Sequence, residues 1–203
     1  MRVELREANI KIRLAQLGVA MVAILCMDSL PGAEPVPEDQ CPKGAVSELS
    51  DSIHKRFDEH TGITWYTDQS TASDISGDAF FLYAGKKGCD VWLRLRMQHA
   101  SEKPLSVTRV QIKADDKTFE LTDPHFKKNS DGKIAWEWYD EPVTPDHLLM
   151  LFKVTSSIEA VIRLTGQART DDKPITATQT ITVEQKEALK NMLGAYHSLG
   201  GKL

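Results

Sequence analysis

Five short runs between residues 63 and 122 alternate apolar and polar side chains with a period of two. The runs are rich in β-branched and aromatic residues, and breaks containing Asp, Gly, Ser or Pro separate them: "ITWYT", "DAFFLYAG", "DVWLRLRMQ", "LSVTRVQIKA" and "KTFELT". This period is typical of strands with one buried face. Because no helical segment interrupts the series, it predicts consecutive antiparallel strands, with a tight hairpin at 115–117.

Two more strands are predicted beyond residue 122. Asp131 and Gly132 are a turn signal, and the run that follows alternates over 134–139. The run "IEAVIRLTG" alternates again and ends at Gly166. The sequence has neither a βαβ rhythm nor a glycine-rich phosphate loop, which argues against a nucleotide-binding α/β fold.

Three helices are predicted in the body of the chain. Thr144 as N-cap and Pro145 at the first helical position begin a short one. Thr182 and Gln185 have the spacing of a capping box and begin a C-terminal helix that ends at 200–201. An N-terminal amphipathic helix, ending near 61–62, is predicted from four apolar residues at helical spacing: Val46, Leu49, Ile53 and Phe57.

These elements together predict one α+β domain over 45–203. Its expected architecture is an antiparallel β-sandwich or a strongly bent sheet, with the N-terminal helix and the C-terminal helix packed on it. At 203 residues, with 41% hydrophobic and 27% charged residues, the chain has the composition of a globular protein rather than a disordered one.

Residues 1–33 have the pattern of a secretory signal peptide. A basic start precedes the uncharged window 14–27, "LAQLGVAMVAILCM", and a small, turn-prone stretch follows it. The window is shorter than the ~20 residues of a membrane-spanning helix, so no stable span is expected after cleavage. A periplasmic or secreted protein is therefore predicted. The alternatives are an uncleaved anchor and, less favoured because Leu25 is large, a lipid-anchored protein modified at Cys26.

Export changes the interpretation of the cysteines. Cys26 lies in the apolar window, so Cys41 and Cys89 are the thiols left in the mature chain. Exported proteins with two cysteines most often pair them, which predicts a disulfide that ties down a Pro-rich leader over 34–44. The alternative is two free buried thiols.

Segments across the body of the chain resemble exported bacterial β-sandwich domains of unknown function. The resemblance covers residues 45–201 and is carried by "FFLYAG", "VWLRLRMQH", "WEWYD", "IRLTG" and "QKEALKNMLGAYHSLGG". It implies a β-sandwich fold and an envelope location, and it brings no chemistry or site residues with it.

The charge and histidine patterns exclude several functions. A net charge of −4 does not fit nucleic-acid binding. His54 and His60 are six residues apart rather than four, and His99, His125 and His147 are isolated, so no metal site and no cofactor are predicted.

Arginines on one predicted strand are the first candidate binding residues. Arg94 and Arg96 share a strand face, about 7 Å apart at ~3.4 Å per residue. If Arg163 lies nearby, three guanidinium groups could bind a carboxylate or phosphate. The favoured alternative is a solvated face on which the arginines pair with Asp and Glu.

The strand over 134–139 supplies the second candidate site. Trp136 and Trp138 share one face, and Glu137 lies on the other. Exposed tryptophans beside a carboxylate are typical of sugar-binding surfaces. The favoured alternative places both indoles in the core, because one face of a half-buried strand must be apolar.

Export, a β-rich body and the lack of a catalytic motif favour a non-catalytic binding or interaction module of the bacterial cell envelope. Its partner would be an envelope protein, a glycan or an anionic small molecule. The alternative is an envelope hydrolase with a carboxylate site near Glu137 and Asp140, since glycoside hydrolysis uses two carboxylates at a fixed separation. A structural accessory subunit is a third hypothesis.

Overall fold

Strands dominate the fold, as the two-residue alternation predicts. The computed structural model describes residues 49–71, 76–121, 123–167 and 174–203. The predicted signal peptide, the Pro-rich leader and Cys41 lie outside these residues. The described strands are β1 Ile53–Asp58, β2 Ile63–Asp68, β3 Ala79–Lys87, β4 Asp90–Ser101, β5 Val107–Ala114, β6 Lys117–Leu121, β7 Lys127–Ser130, β8 Ala135–Pro142, β9 Ala160–Gln167 and β10 Pro174–Thr180; the helices are α1 Pro145–Ser156 and α2 Val183–Ser198.

The strands form two antiparallel sheets. The six-stranded sheet has the order β1-β2-β3-β4-β8-β7, and the four-stranded sheet has the order β10-β9-β5-β6. The hairpin predicted at 115–117 joins β5 to β6, with Ala114 opposite Lys117. Two antiparallel sheets with a C-terminal helix confirm the predicted α+β sandwich-like class.

One hydrophobic core receives side chains from both sheets and both helices. Leu95 of the six-stranded sheet, Ile112 of the four-stranded sheet and Leu189 of α2 are all completely buried within it. Burying a side chain of this size stabilises the fold by about 1.5–3 kcal/mol. The helix α2 packs against β2, β3 and α1. The core therefore occupies one face of the six-stranded sheet, and the other face does not contribute to it.

Both predicted helix starts are confirmed. Thr182 and Gln185 form the capping box of α2, and Thr144 caps α1 with Pro145 in its first turn. The α1 cap is also a capping box, with His147 in the place that Glu or Gln usually takes. None of the helices in the described ranges is long and apolar enough to cross a bilayer.

The predicted N-terminal helix is wrong over its described part. Residues Ile53–Asp58 form β1, which pairs along its whole length with β2. Ile53 is half-buried and Phe57 is 59% exposed, so the helical spacing of these residues marks no buried face. Six cross-strand pairs with β2 outweigh a weak local helix preference. The sequence also does not reveal β10, a threonine-rich strand that pairs only with β9 among the described strands.

Candidate functional site

The face of the six-stranded sheet that points away from the core is rich in aromatic and charged side chains; we call it the outer face. On β4 the even-numbered residues Arg94 and Arg96 belong to it, while Leu93, Leu95 and Met97 are buried on the other side. This alternation confirms the one-face pattern of the run "VWLRLRM".

A pocket of about 900 Å³ lies on the outer face. Its lining residues are far apart in the sequence, but they come together because β1, β2, β3, β4 and β8 are neighbours in the sheet. The lining residues are His54, Arg56, Trp65, Thr67, Asp68, Gln69, Thr71, Phe81, Tyr83, Arg96 and Asp140.

The strand register places an arginine directly opposite each of three aromatic residues on this face. Arg56 of β1 pairs with Trp65 of β2. Phe81 and Tyr83 of β3 pair with Arg96 and Arg94 of β4, respectively. Side chains opposite each other in an antiparallel pair have Cβ atoms ~5 Å apart, so each pair interacts.

Asp140 holds the centre of the site. Its Oδ1 accepts hydrogen bonds from Arg94 Nε at 2.8 Å and from the Tyr83 hydroxyl at 2.8 Å. Its Oδ2 accepts from Arg96 Nη1 at 3.3 Å. The Asp140 backbone carbonyl also accepts from Arg94 Nη2 at 2.7 Å. The carboxylate is therefore occupied by partners of the same sheet.

These contacts change the pKa values of Tyr83 and Arg94. Burial, together with the hydrogen bond to Asp140, raises the pKa of Tyr83 to about 12. Burial acts to lower the pKa of Arg94, but the hydrogen bonds and charge interactions with Asp140 and Tyr83 together outweigh it, and the pKa is raised overall. Tyr83 therefore stays a neutral hydroxyl and Arg94 a cation throughout the physiological range.

Arg96 is held on three sides. Its Nη2 donates to Gln98 Oε1 at 2.9 Å, and its guanidinium lies 5.3 Å from the centre of the Trp138 ring. Its buried Nε has no hydrogen-bond partner within the described structure. Because a guanidinium has five N–H donors, terminal donors of Arg96 remain to face the pocket.

The three-arginine cluster, which required Arg163 to lie near Arg94 and Arg96, does not form. Arg163 is an exposed residue of β9 in the four-stranded sheet, opposite Gln111 and Thr178. Arg94 and Arg96 instead pair with an acid, as the favoured alternative held.

The expectation that Trp136 and Trp138 are core residues is wrong. Both are half-buried on the outer face of β8, where the Trp136 indole N–H donates to the Ser76 carbonyl at 2.9 Å. The buried side of β8 carries Ala135, Glu137 and Tyr139. The sequence pattern predicts the opposite orientation of β8, because the side that carries the two tryptophans is the more apolar one.

Glu137 is a structural residue, with only 1% exposure. Its carboxylate accepts hydrogen bonds from three successive backbone N–H groups, those of Leu105, Ser106 and Val107, at 2.6, 2.9 and 3.2 Å. Ser106 has a φ of 54°, and this left-handed residue turns the three N–H groups toward one point. Lys128 adds a cation at 3.5 Å.

Glu137 and Asp140 do not form a catalytic pair. They lie on opposite faces of β8, with Glu137 inside and Asp140 on the outer face. Both carboxylates are also held by hydrogen bonds within the protein. A glycosidase needs two carboxyl groups facing one bond, which this arrangement does not provide.

The histidines lie in different parts of the fold. His54 and His60 are exposed, His99 contacts Asp78 at 3.0 Å, and His147 is buried in the α1 cap. Within the described ranges, no three His, Cys, Asp or Glu residues are grouped to hold a metal ion.

Sequence reasoning missed most of the pocket. It singled out Arg96, and Asp140 only as part of a hydrolase, whereas Trp65, Phe81 and Tyr83 were assigned only to strands. Alternation along one strand shows which of its residues share a face. Only the pairing register between strands shows which arginine lies opposite each aromatic residue.

No protein-family model, curated protein or solved structure matches this chain. Its function has to follow from the geometry of the site.

Proposed function

We propose that the chain is an exported, non-catalytic binding module of the bacterial cell envelope, and that it binds its ligand in the outer-face pocket. The observation that carries the proposal is the pocket itself, about 900 Å³ in volume, in which aromatic rings and charged groups from five strands converge. Small-molecule sites are commonly concave, of this size, and lined by aromatic residues with a few polar groups.

Export is supported by the signal-peptide pattern of residues 1–33. In an oxidising compartment Cys41 pairs with Cys89. Cys89 is half-buried in the turn between β3 and β4, at one end of the sheet that carries the pocket. N-terminal sequencing of protein recovered from the periplasm of a bacterial host tests the export step. A mature N-terminus near residue 34 supports it, and protein that stays in the cytosol with residue 1 intact contradicts it.

Binding without catalysis is supported by the state of the pocket acids. Asp140 is engaged by Arg94, Arg96 and Tyr83. Asp68 is 3% exposed and accepts hydrogen bonds from Ser70 and Asn191. A general acid or base must reach the proton that it transfers, and neither carboxylate is free to do so.

The binding proposal is tested by filling the pocket. The exported protein is purified from a bacterial periplasm and screened by thermal shift and calorimetry against neutral glycans, acidic glycans and small organic anions. Thr67→Trp places a bulky ring in the pocket, and Thr178→Trp makes the same change on the exposed side of β10.

A compound that stabilises the parent and Thr178→Trp, but not Thr67→Trp, is the expected result. Equal binding by Thr67→Trp, or no binding by any compound, contradicts the proposed site. Conversion of a bound compound to hydrolysis products contradicts the non-catalytic role.

A further inference from the structure

We infer that the ligand of the outer-face pocket is an acidic sugar, a pyranose that carries a carboxylate. This inference rests on the proposed function and names the chemical class of its ligand. It follows from three features: the aromatic wall, the state of the charged groups and the polar rim.

The aromatic wall consists of Trp65, Phe81 and Tyr83. The rings of Trp65 and Tyr83 are 5.7 Å apart, and those of Phe81 and Tyr83 are 6.1 Å apart. The three rings therefore form a continuous surface across β2 and β3. The C–H faces of a pyranose pack on such aromatic surfaces. Trp92, which is not part of the pocket lining, packs with its ring edge-on to Trp65 at 5.9 Å.

The charged groups favour an anion over a neutral sugar. Both acids that line the pocket are occupied by donors of the protein itself. In contrast, the exposed Arg56 guanidinium makes no hydrogen bond to a described residue, although it interacts electrostatically with Asp58 of the same strand, and Arg96 keeps terminal N–H donors. The pocket thus offers donors with positive charge and no free carboxylate acceptor. A carboxylate is the group that complements a guanidinium best.

Arg96 is prepared for this contact before the ligand arrives. Asp140, Gln98 and the Trp138 ring fix its guanidinium, so little side-chain entropy is lost when it binds. Asp140 is accordingly a positioning residue: it acts through Arg96 and Arg94 rather than on the ligand. Arg56, exposed on the edge strand β1 beside Trp65, supplies a second cation at the pocket mouth.

The polar rim fits the hydroxyl groups of a sugar. Thr67, Gln69 and Thr71 line the pocket on the β2 side. A purely aromatic acid would leave these groups without partners, whereas the hydroxyls of a sugar ring can donate to them and accept from them. The volume of about 900 Å³ leaves room for more than one ring.

The test compares matched trisaccharides by isothermal titration calorimetry on the protein purified from the periplasm. The probes are trigalacturonic acid, its neutral counterpart galactotriose, and benzoate as an aromatic acid without hydroxyls. We expect trigalacturonic acid to bind at least ~10-fold more tightly than either of the others, since each charge-assisted hydrogen bond contributes about that factor. Added salt should weaken this binding.

Two variants locate the contact. Arg56→Gln should weaken binding of trigalacturonic acid by ~10-fold without affecting the fold, because the side chain is exposed and makes no hydrogen bond to a described residue. Arg163→Gln, the matched change on the exposed face of β9, should leave binding unchanged.

Equal affinity for galactotriose, or tighter binding of benzoate, overturns the acidic-sugar assignment and leaves the pocket as the binding site. The assignment also fails if neither trisaccharide binds while another compound of the screening panel does. If nothing binds and Thr67→Trp has no effect on any compound, the proposed function fails with it.

Discussion

The Glu137 carboxylate on β8 accepts a hydrogen bond of 2.6 Å from the backbone N–H of Leu105, in the segment that leads into β5. The contact joins the six-stranded sheet to the four-stranded sheet, because β8 belongs to the first and β5 to the second. The N–H groups of Ser106 and Val107 bind the same carboxylate, so one side chain satisfies three consecutive backbone donors. The residue that looked like a sugar contact is therefore part of the scaffold.

Replacing Glu137 should destabilise the protein strongly. In Glu137→Gln an NH2 group faces backbone donors, and a buried donor left without a partner costs about 1–3 kcal/mol. We expect the free energy of unfolding, measured in urea, to fall by about 2 kcal/mol or more. Glu120→Gln is the control: its ion pair with Arg109 is about half exposed on both sides, so its loss should lower the free energy of unfolding much less. Similar losses in both variants would refute the role of Glu137.

A second prediction concerns pH and His147. Burial lowers the pKa of this imidazole below its ordinary value near 6.5. The Thr144 N–H donates to Nδ1 at 3.2 Å, so the neutral ring has its proton on Nε2, directed at the Tyr139 hydroxyl 3.2 Å away. Protonating Nδ1 would break the bond from Thr144.

Because the folded pKa is lowered, the unfolded chain takes up the proton first as the pH falls. The contribution of His147 is fully present above pH ~6.5 and declines below it. Urea unfolding at a series of pH values should therefore show a loss of stability below that pH, and His147→Gln should reduce the slope. His125, which is 82% exposed, provides the control variant His125→Gln. An unchanged slope in His147→Gln would exclude this residue as the source.

Gly85 allows the Trp92 indole to lie flat against β3. The two residues are cross-strand partners, and a Cβ on Gly85 would overlap the indole ring. Gly85→Ala should push Trp92 away from Trp65, lower the free energy of unfolding by about 1–3 kcal/mol and change the near-ultraviolet circular dichroism. Gly77→Ala adds a methyl group where no atom lies within 4 Å, and it should leave the spectrum intact. An unaltered spectrum in Gly85→Ala would contradict this packing.

The proposed disulfide predicts a redox-dependent stability. A bond between Cys41 and Cys89 closes a loop of about 49 residues and should add ~4 kcal/mol in the chain-entropy model. Reducing agent, or Cys41→Ser, should therefore lower the melting temperature of protein purified from an oxidising compartment. Cys26→Ser should behave like the parent, because residue 26 lies in the predicted signal peptide. Peptide mapping that finds both thiols free would rule out the bond.

Local sequence determined the elements whose signals are local. The two-residue alternation identified β2 to β6 and β9, and the Thr144 and Thr182 caps placed the starts of α1 and α2. These signals are sufficient because alternation and capping involve residues only two or three positions apart. The same reasoning correctly separated Arg94 and Arg96 from Leu93 and Leu95 on β4.

Only the tertiary structure decided which face of β8 is buried and which residues form the pocket. Judged by apolarity, the side with Trp136 and Trp138 should be inside, yet Glu137 is buried because the N–H groups of Leu105, Ser106 and Val107 satisfy its charge. Likewise, residues 53–58 form a strand rather than a helix because all six of them pair with β2. The Arg96–Phe81 pair and the Asp140 cluster depend on strand register, which joins residues up to 57 positions apart, and no local pattern specifies such pairs.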